Sequence, residues 1–435
     1  MTSQHVVLLM LALAAILVLT RLFGALARLL RQPKVIGEIL AGIVLGPLLL
    51  HGAVGDALVA VDIRPHLAGL ADIGLALFMF LVGSELDGNP LRGTGKAAAL
   101  VSSASMLVPF GLGCLLALTL VHSHPAPSRT GLVLFMGVAL SVTAFPVLAR
   151  ILTDHGIIRT PLGKLALSCA ALADILAWVM LAVVVALVGG SGRSSWSVVL
   201  VVPYTGFLWF VARPLLAARS RRNRSEGELV TVALGTLLLS SAFTEWIGLH
   251  FIFGAFLAGV VMPKEITGTI LRERLRGVAD VLFLPVYFVI AGLQVDLTAI
   301  GDGGLGELAL IVVVAAAGKF VSTLLAARAS GVPRNEARVL AVLMNTRGLT
   351  ELVILTVGSQ LGLLDRALYS MLVVMALVTT AMTGLLLRLV LPSTEVAADV
   401  GLGRQRSVAA AGARNTFAGF SRRWRRVSPS MRRRR

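Results

Sequence analysis

The feature that most constrains this chain is the recurrence of apolar runs long enough to cross a lipid bilayer. A helix rises about 1.5 Å per residue, so about 20 residues cover the roughly 30 Å hydrocarbon core. Such runs lie at about 5–22, 34–50, 67–86, 97–121, 130–151, 162–188, 196–216, 228–244, 246–262, 278–295, 305–327, 337–360 and 367–391, the eighth and ninth almost touching. In lipid every backbone polar group must be satisfied within the protein, and helices meet that requirement. The expected fold class is therefore an all-α polytopic membrane protein with about thirteen transmembrane helices. Hydrophobic residues make up 57% of the 435 and charged residues 14%, a balance that cannot coat a water-soluble surface.

The charges are few but lopsided, with 39 Lys and Arg against 22 Asp and Glu, a net +17. Between the runs, 33 of the 39 cations fall in alternate loops, whereas the other set of loops holds only Arg64, Arg129, Arg193 and Arg366. By the positive-inside rule the cation-rich loops are cytoplasmic. That places the N-terminus outside and the C-terminus inside, in a cell membrane. Residues 401–435 contain eleven arginines and no acid. Residues 1–395 are thus expected to form the transmembrane domain. Residues 396–435 are expected to be a disordered cytoplasmic tail attracted to anionic lipid, with nucleic acid not expected as a partner. Cys114 and Cys169 lie inside apolar runs, where a thiol behaves as a small hydrophobe, and two cysteines are too few for a disulfide framework. The first run lacks the charged start and small-residue exit of a signal peptide.

Ionisable residues inside spans are costly and carry functional hypotheses by default. Asp174 stands alone in LALSCAALADILAWVMLAVVVAL, and Lys319 stands alone in LIVVVAAAGKFVSTLLAA. The two are natural charge partners; a buried structural pair, or a lysine snorkelling to the inner face, are the plain alternatives. Arg347 and Glu351 in MNTRGLTELVIL are spaced i, i+4, which on a helix makes a local pair that either holds the helix in place or serves the site. Glu85, Asp72 and Glu245 lie near span ends, where solvated positions are expected. His122 and His124 are read as a solvated outer loop in preference to a metal site.

Two spans are interrupted in their middles. The fifth, GVALSVTAFPVLARIL, carries Ser141, Thr143 and Pro146, and proline breaks the hydrogen-bond ladder. The twelfth, AVLMNTRGLTELVIL, carries Asn345, Thr346 and Gly348, all weak helix formers. Freed backbone at this depth is tolerated only where it is packed in protein or lines a cavity. The two breaks lie seven spans apart and so cross in opposite directions, as in an inverted repeat whose discontinuous helices meet near the midplane.

A carboxylate in a low-dielectric pocket can hold a proton or a monovalent cation, and competition between the two is the physical core of antiport. Asp174 is the expected cation- and proton-binding residue, with Thr143 and Ser141 and the freed carbonyls as oxygen ligands suited to a hard cation. Lys319 is expected to pair with the carboxylate when no cation is bound. Neither transition metal nor cofactor is expected, and the absence of a nucleophile–base pair, zinc spacing or phosphate loop argues against an enzyme.

The motifs GEILAGIVLGP (37–47), LFMFLVGSELD (77–87), TAFPVLARIL (143–152), HFIFGAFLAGVVMP (250–263), LPVYFVIAGLQVDL (284–297) and NTRGLTELVIL (345–355) resemble the monovalent cation:proton antiporter-2 family, in particular its Kef-type and plant cation/proton exchanger branches. The resemblance runs from about residue 5 to 391. It implies the sodium/proton antiporter fold, a dimerisation domain beside a six-helix core with two crossed broken helices, working as a homodimer by an elevator-like movement. It also implies that Asp174 is the core aspartate, Lys319 the core lysine, Thr143 the unwound-helix threonine, and Arg347 with Glu351 the charged pair of the second broken helix. The family's polar residue before the aspartate is replaced here by Ala173, which points to one-for-one electroneutral exchange. The nucleotide-binding domain of Kef-type proteins has no counterpart in the forty or so residues after the last span. The implied function is exchange of K+ or Na+ for H+. An ion-coupled exporter or symporter of an organic solute on the same architecture, and a non-transporting scaffold or receptor, are the alternatives.

Overall fold

A computed structural model describes residues 3–30, 32–48, 58–85, 95–188, 200–220, 226–263, 266 and 268–390. The arginine-rich tail lies outside the described residues, as do Arg193 and Lys264. The described elements are helices: α1 (Ser3–Leu29), α2 (Lys34–Ile43), α3 (Arg64–Glu85), α4 (Gly95–Leu120), α5 (Arg129–Ser141), α6 (Phe145–Asp154), α7 (Pro161–Val188), α8 (Val201–Phe207), α9 (Arg213–Ser220), α10 (Glu226–Trp246), α11 (Phe251–Val261), α12 (Thr269–Val278), α13 (Leu284–Leu293), α14 (Gly301–Ala329), α15 (Arg334–Met344), α16 (Leu349–Gln360) and α17 (Arg366–Val390). Wide π turns continue α2 over Val44–Leu48 and join α8 to α9 and α12 to α13.

Among the described residues nine helical segments are long and apolar enough to cross a membrane, and a tenth is the pair α15 and α16, bent by 40° at its break. The count of thirteen is therefore not established by length and composition. Three predicted spans are shorter or more broken than expected. The second is α2 with its π continuation, the seventh is divided between α8 and α9, and the ninth is α11, of 11 residues.

The helices sort by packing into two bundles. One contains α1, α2, α3 and α10 to α13; the other contains α4 to α7 and α14 to α17. Lipid tails are as apolar as leucine, so helices associate through close packing and polar contacts. The crossing of α3 and α11 shows the first. A Cβ on Gly83 would stand 2.2 Å from the Phe256 carbonyl oxygen, and one on Gly259 would stand 2.1 Å from that of Phe80. Alanine at either position would force the backbones apart.

The second kind of contact joins the bundles, and it clusters at the ends of helices that face the cation-poor loops. Tyr287 Oη and Thr356 Oγ1 are 3.1 Å apart, Tyr369 Oη donates to the Ala291 carbonyl at 3.1 Å, and the Asp296 amide donates to Ser370 Oγ at 2.9 Å. His250 Nε2 lies 2.9 Å from Gln360 Oε1, and Arg366 lies 3.9 Å from Asp296. Beside this seam is a cavity of about 590 Å³ lined by Arg64, Leu293, Gln294, Asp296, Ser359, Arg366 and Tyr369. Nearer the cation-rich face, a separate small cavity of about 10 Å³ lies between α2 and the residues Val147, Arg347, Gly348 and Thr380.

Candidate functional site

Both sequence-predicted breaks are present, and they cross. The first is the extended stretch 142–144 between α5 and α6, with Val142 at φ −67°, ψ 146° and Ala144 at φ −81°, ψ 99°. The second separates α15 from α16 at 345–348. Backbone released by one break is satisfied by the other: the Ala144 amide donates to the Thr346 carbonyl at 3.0 Å, and the Thr143 hydroxyl donates to the Met344 carbonyl at 3.1 Å. Pro146 is not in the break itself. It occupies the first turn of α6, where its missing N–H is one that the helix leaves unpaired in any case. Gly348 is required by proximity, since a Cβ there would lie 2.5 Å from Val147 Cγ2.

Four half-helix ends meet at this crossing, two positive N-termini (α6, α16) and two negative C-termini (α5, α15). The charged residues are distributed accordingly. Lys319 Nζ donates to the Ser141 carbonyl, and Arg347 donates to the Ala139 and Leu140 carbonyls at 2.8 and 2.7 Å. The last three carbonyls of α5 are thus covered by two cations. Glu351, in the first turn of α16, receives two contacts from Arg347 at 2.6 and 2.7 Å with both side chains fully buried.

Asp174 on α7 is 3% exposed, and both carboxylate oxygens are buried without a side-chain hydrogen-bond partner. The Phe145 amide at the N-terminus of α6 faces it as a backbone hydrogen-bond donor, and the Lys319 ammonium acts on it through its charge. The expected direct pair between Asp174 and Lys319 is not formed here, because the polarised carbonyl at the end of α5 holds the lysine. The predicted ligands are placed unequally. Thr143 and Thr346 lie at the crossing, but their hydroxyls donate to Met344 and Leu343 carbonyls, and that of Ser141 donates to Val138. The Asn345 side-chain oxygen is buried and unpartnered. Ala173, the neighbour of Asp174, is fully buried and adds no polar group.

A discontinuous helix pair crossing beside a buried carboxylate is an ion-site architecture, and the comparisons agree with it. A sequence model of the transmembrane sodium/hydrogen exchangers matches residues 13–392. The chain belongs to the sodium/hydrogen exchanger family. It is 39% identical to the Na(+)/H(+) antiporter NhaS4 of Synechocystis over 90% of this chain and 99% of that protein. It is 41% identical to the Cation/H(+) antiporter 17 of Arabidopsis thaliana over 86% of this chain, and 34% identical to the K(+)/H(+) antiporter 1 of Saccharomyces cerevisiae over 84%. The chain spans about half the length of the plant and yeast relatives, 47% and 44%. Among solved structures, the sodium proton antiporter MjNhaP1 of Methanocaldococcus jannaschii matches with a TM-score of 0.64 over 87% of this chain and 96% of that chain, at 15% identity. That likeness establishes the exchanger fold. The protein is a multi-pass membrane transporter, not an enzyme.

Other polar residues of this exchanger have partners that the sequence does not show. His124 is 6% exposed and not a solvated loop residue: its Nδ1 lies 2.7 Å from Asp365 and its Nε2 3.0 Å from Glu307. Burial by itself lowers the histidine's affinity for a proton, but the two carboxylates outweigh it and hold the imidazole above its ordinary value. Glu245 accepts a hydrogen bond from the Phe251 amide at 2.8 Å, capping α11. Thr380 bonds the backbone of the second break. Nothing in the sequence sets these residues apart from other polar side chains at or near span ends or among neighbouring threonines.

Proposed function

We propose that this chain is a secondary active antiporter that exchanges a monovalent cation, K+ or Na+, for H+ by alternating access, with Asp174 binding cation and proton in turn. One observation carries this reading: a buried carboxylate to which no side chain donates a hydrogen bond, beside the crossing of two broken helices. Buried polar groups are normally paired, and a charge left bare at membrane depth is costly. Either a proton or a cation relieves that cost, but both cannot occupy one carboxylate. Lys319 and Arg347, by covering the α5 carbonyls, leave Asp174 as the acceptor for the transported ion. Thr143, Ser141 and Asn345 supply oxygen atoms around the first and second breaks.

The relatives' names, antiporters of Na+ and of K+, support exchange without choosing the ion. The lopsided loop charge supports a cell-membrane orientation with the N-terminus outside and the C-terminus cytoplasmic. Anionic lipid at the arginine-rich tail and assembly as a homodimer complete the reading. The 590 Å³ cavity is the sort of feature an organic-solute carrier needs, but its walls do not include Asp174, Lys319 or Thr143.

The test is proton flux in inside-out vesicles with Na+, K+, Li+ and Rb+ added in turn, on the wild type and on Asp174→Asn. Cation-dependent proton movement is expected in the wild type and lost in the variant. Exchange retained by Asp174→Asn refutes the role of Asp174, and no response to any cation from a correctly folded wild type favours an organic solute.

A further inference from the structure

In the second break the Arg347 peptide lies between α15 and α16, so its N–H and C=O lack the partners that a continuous helix supplies. No water is available for them in hydrocarbon. One side chain meets both. Thr380 Oγ1, on α17, accepts from the Arg347 amide at 3.1 Å and lies 2.9 Å from the Arg347 carbonyl oxygen. It also lies 2.7 Å from the Ala376 carbonyl of its own helix. A hydroxyl has a single proton to donate, so it serves Arg347 or Ala376 but not both at once.

The neighbouring threonines sharpen the point. Thr379 bonds the Met375 and Ala376 carbonyls, and Thr383 bonds that of Thr379, all within α17. Of these three buried residues it is Thr380 that reaches across to the break. It also borders the narrow space where Ile36 and Ile39 of α2 face Arg347 and Gly348.

We infer that Thr380 is a positioning residue of the exchanger, whose hydroxyl clamps the Arg347 peptide and thereby holds the second break in its ion-binding arrangement. Turning the hydroxyl proton to Ala376 releases the Arg347 carbonyl and loosens the clamp. Thr380 acts through backbone and not through contact with Asp174. The inference rests on the exchange reading above. Without the hydroxyl, both Arg347 peptide groups lose their partner and the competent arrangement becomes a minor state. Apparent affinity for the ion falls in proportion to the competent fraction, by about thirtyfold for the loss of two buried hydrogen bonds.

The experiment uses the purified full chain in proteoliposomes, with exchange measured against Na+ and, separately, K+ concentration. Thr380→Val and Thr380→Ala are expected to raise the half-saturating cation concentration about thirtyfold with a much smaller change in maximal rate. Thr380→Ser, which keeps the hydroxyl, and Thr379→Val, which removes one that stays within α17, are expected to behave like the wild type. A wild-type half-saturation for Thr380→Val and Thr380→Ala, a Thr380→Ser as impaired as they are, or a loss confined to maximal rate overturns the proposal. So does recovery of monodisperse Thr380→Ser when neither hydroxyl-free variant folds, because the hydroxyl is then a folding requirement alone. A wild type that moves no protons with either cation defeats the exchange reading itself, whereas a responsive wild type with an unaffected Thr380→Val defeats only the clamp.

Discussion

Arg347 and Glu351 offer the sharpest test of how the crossing is held together. Both side chains are fully buried, and one guanidinium nitrogen lies 2.6 and 2.7 Å from the two carboxylate oxygens. The guanidinium also bonds two carbonyls of α5, some two hundred residues away in sequence. Removing Glu351 by Glu351→Leu strands a buried cation, a change that costs about 3–5 kcal/mol in buried pairs. Removing Arg347 by Arg347→Met strands the carboxylate and also deletes two charge-assisted bonds, each contributing about 1.5–3 kcal/mol. The arginine variant is therefore expected to be the less stable of the two. The double variant contains no stranded charge and loses only the carbonyl bonds. Its destabilisation should fall short of the sum of the single variants by the two stranding costs together, about 6–10 kcal/mol. Equilibrium unfolding in mixed micelles, followed by helix content, measures all four proteins of the cycle. Additivity within about 0.5 kcal/mol, or a glutamate variant less stable than the arginine variant, would refute the idea that this pair staples the two broken helices.

Three further outcomes follow from the same geometry. His124 has a raised proton affinity in the folded state, so its contribution to stability is complete below the unfolded value of about 6.5 and is lost as pH rises through the folded value. Thermal unfolding should accordingly show wild-type stability falling as pH rises above about 6.5, with that dependence weakened in His124→Gln. Gly348→Ala places a Cβ 2.5 Å from Val147 Cγ2 and should cost about 1–3 kcal/mol as overpacking; Val147→Ala should restore most of it, and a failure to do so in the same unfolding assay would count against the close approach. Tyr287→Phe or Thr356→Val removes a bond across the seam worth about 1 kcal/mol, depopulating this arrangement of the bundles about fivefold; labelling of Ser359→Cys, in the cavity wall, by a membrane-impermeant thiol reagent should slow in proportion, and an unchanged rate would show that the bond does not bias the equilibrium.

Much of this architecture is readable along the chain. The apolar runs, the alternation of loop charge, the interruptions near Thr143 and Asn345, and the isolation of Asp174 and Lys319 within apolar sequence are all local. They can be read because the costs of placing a residue in hydrocarbon, or of interrupting a helix, are set largely residue by residue. The number of membrane-crossing helices was less legible. The runs that became α2, α8 with α9, and α11 are apolar enough to suggest spans, but π turns and breaks divide them, and hydropathy does not report where a ladder is interrupted.

The sequence by itself determined that this protein belongs in a membrane, that its helices include two broken ones, and which charges are buried at depth. Tertiary structure alone decided what those charges meet. Lys319 was expected on Asp174 but caps the Ser141 carbonyl; Arg347 reaches α5 as well as Glu351; His124 sits between Asp365 and Glu307; and one threonine of three, Thr380, reaches the second break. A hydrogen bond depends on distances of about 3 Å and on direction, and across a helix crossing those are fixed by residues far apart in the chain. Asp174 has no side-chain partner for the same reason: the Lys319 and Arg347 side chains are held by carbonyls at the end of α5.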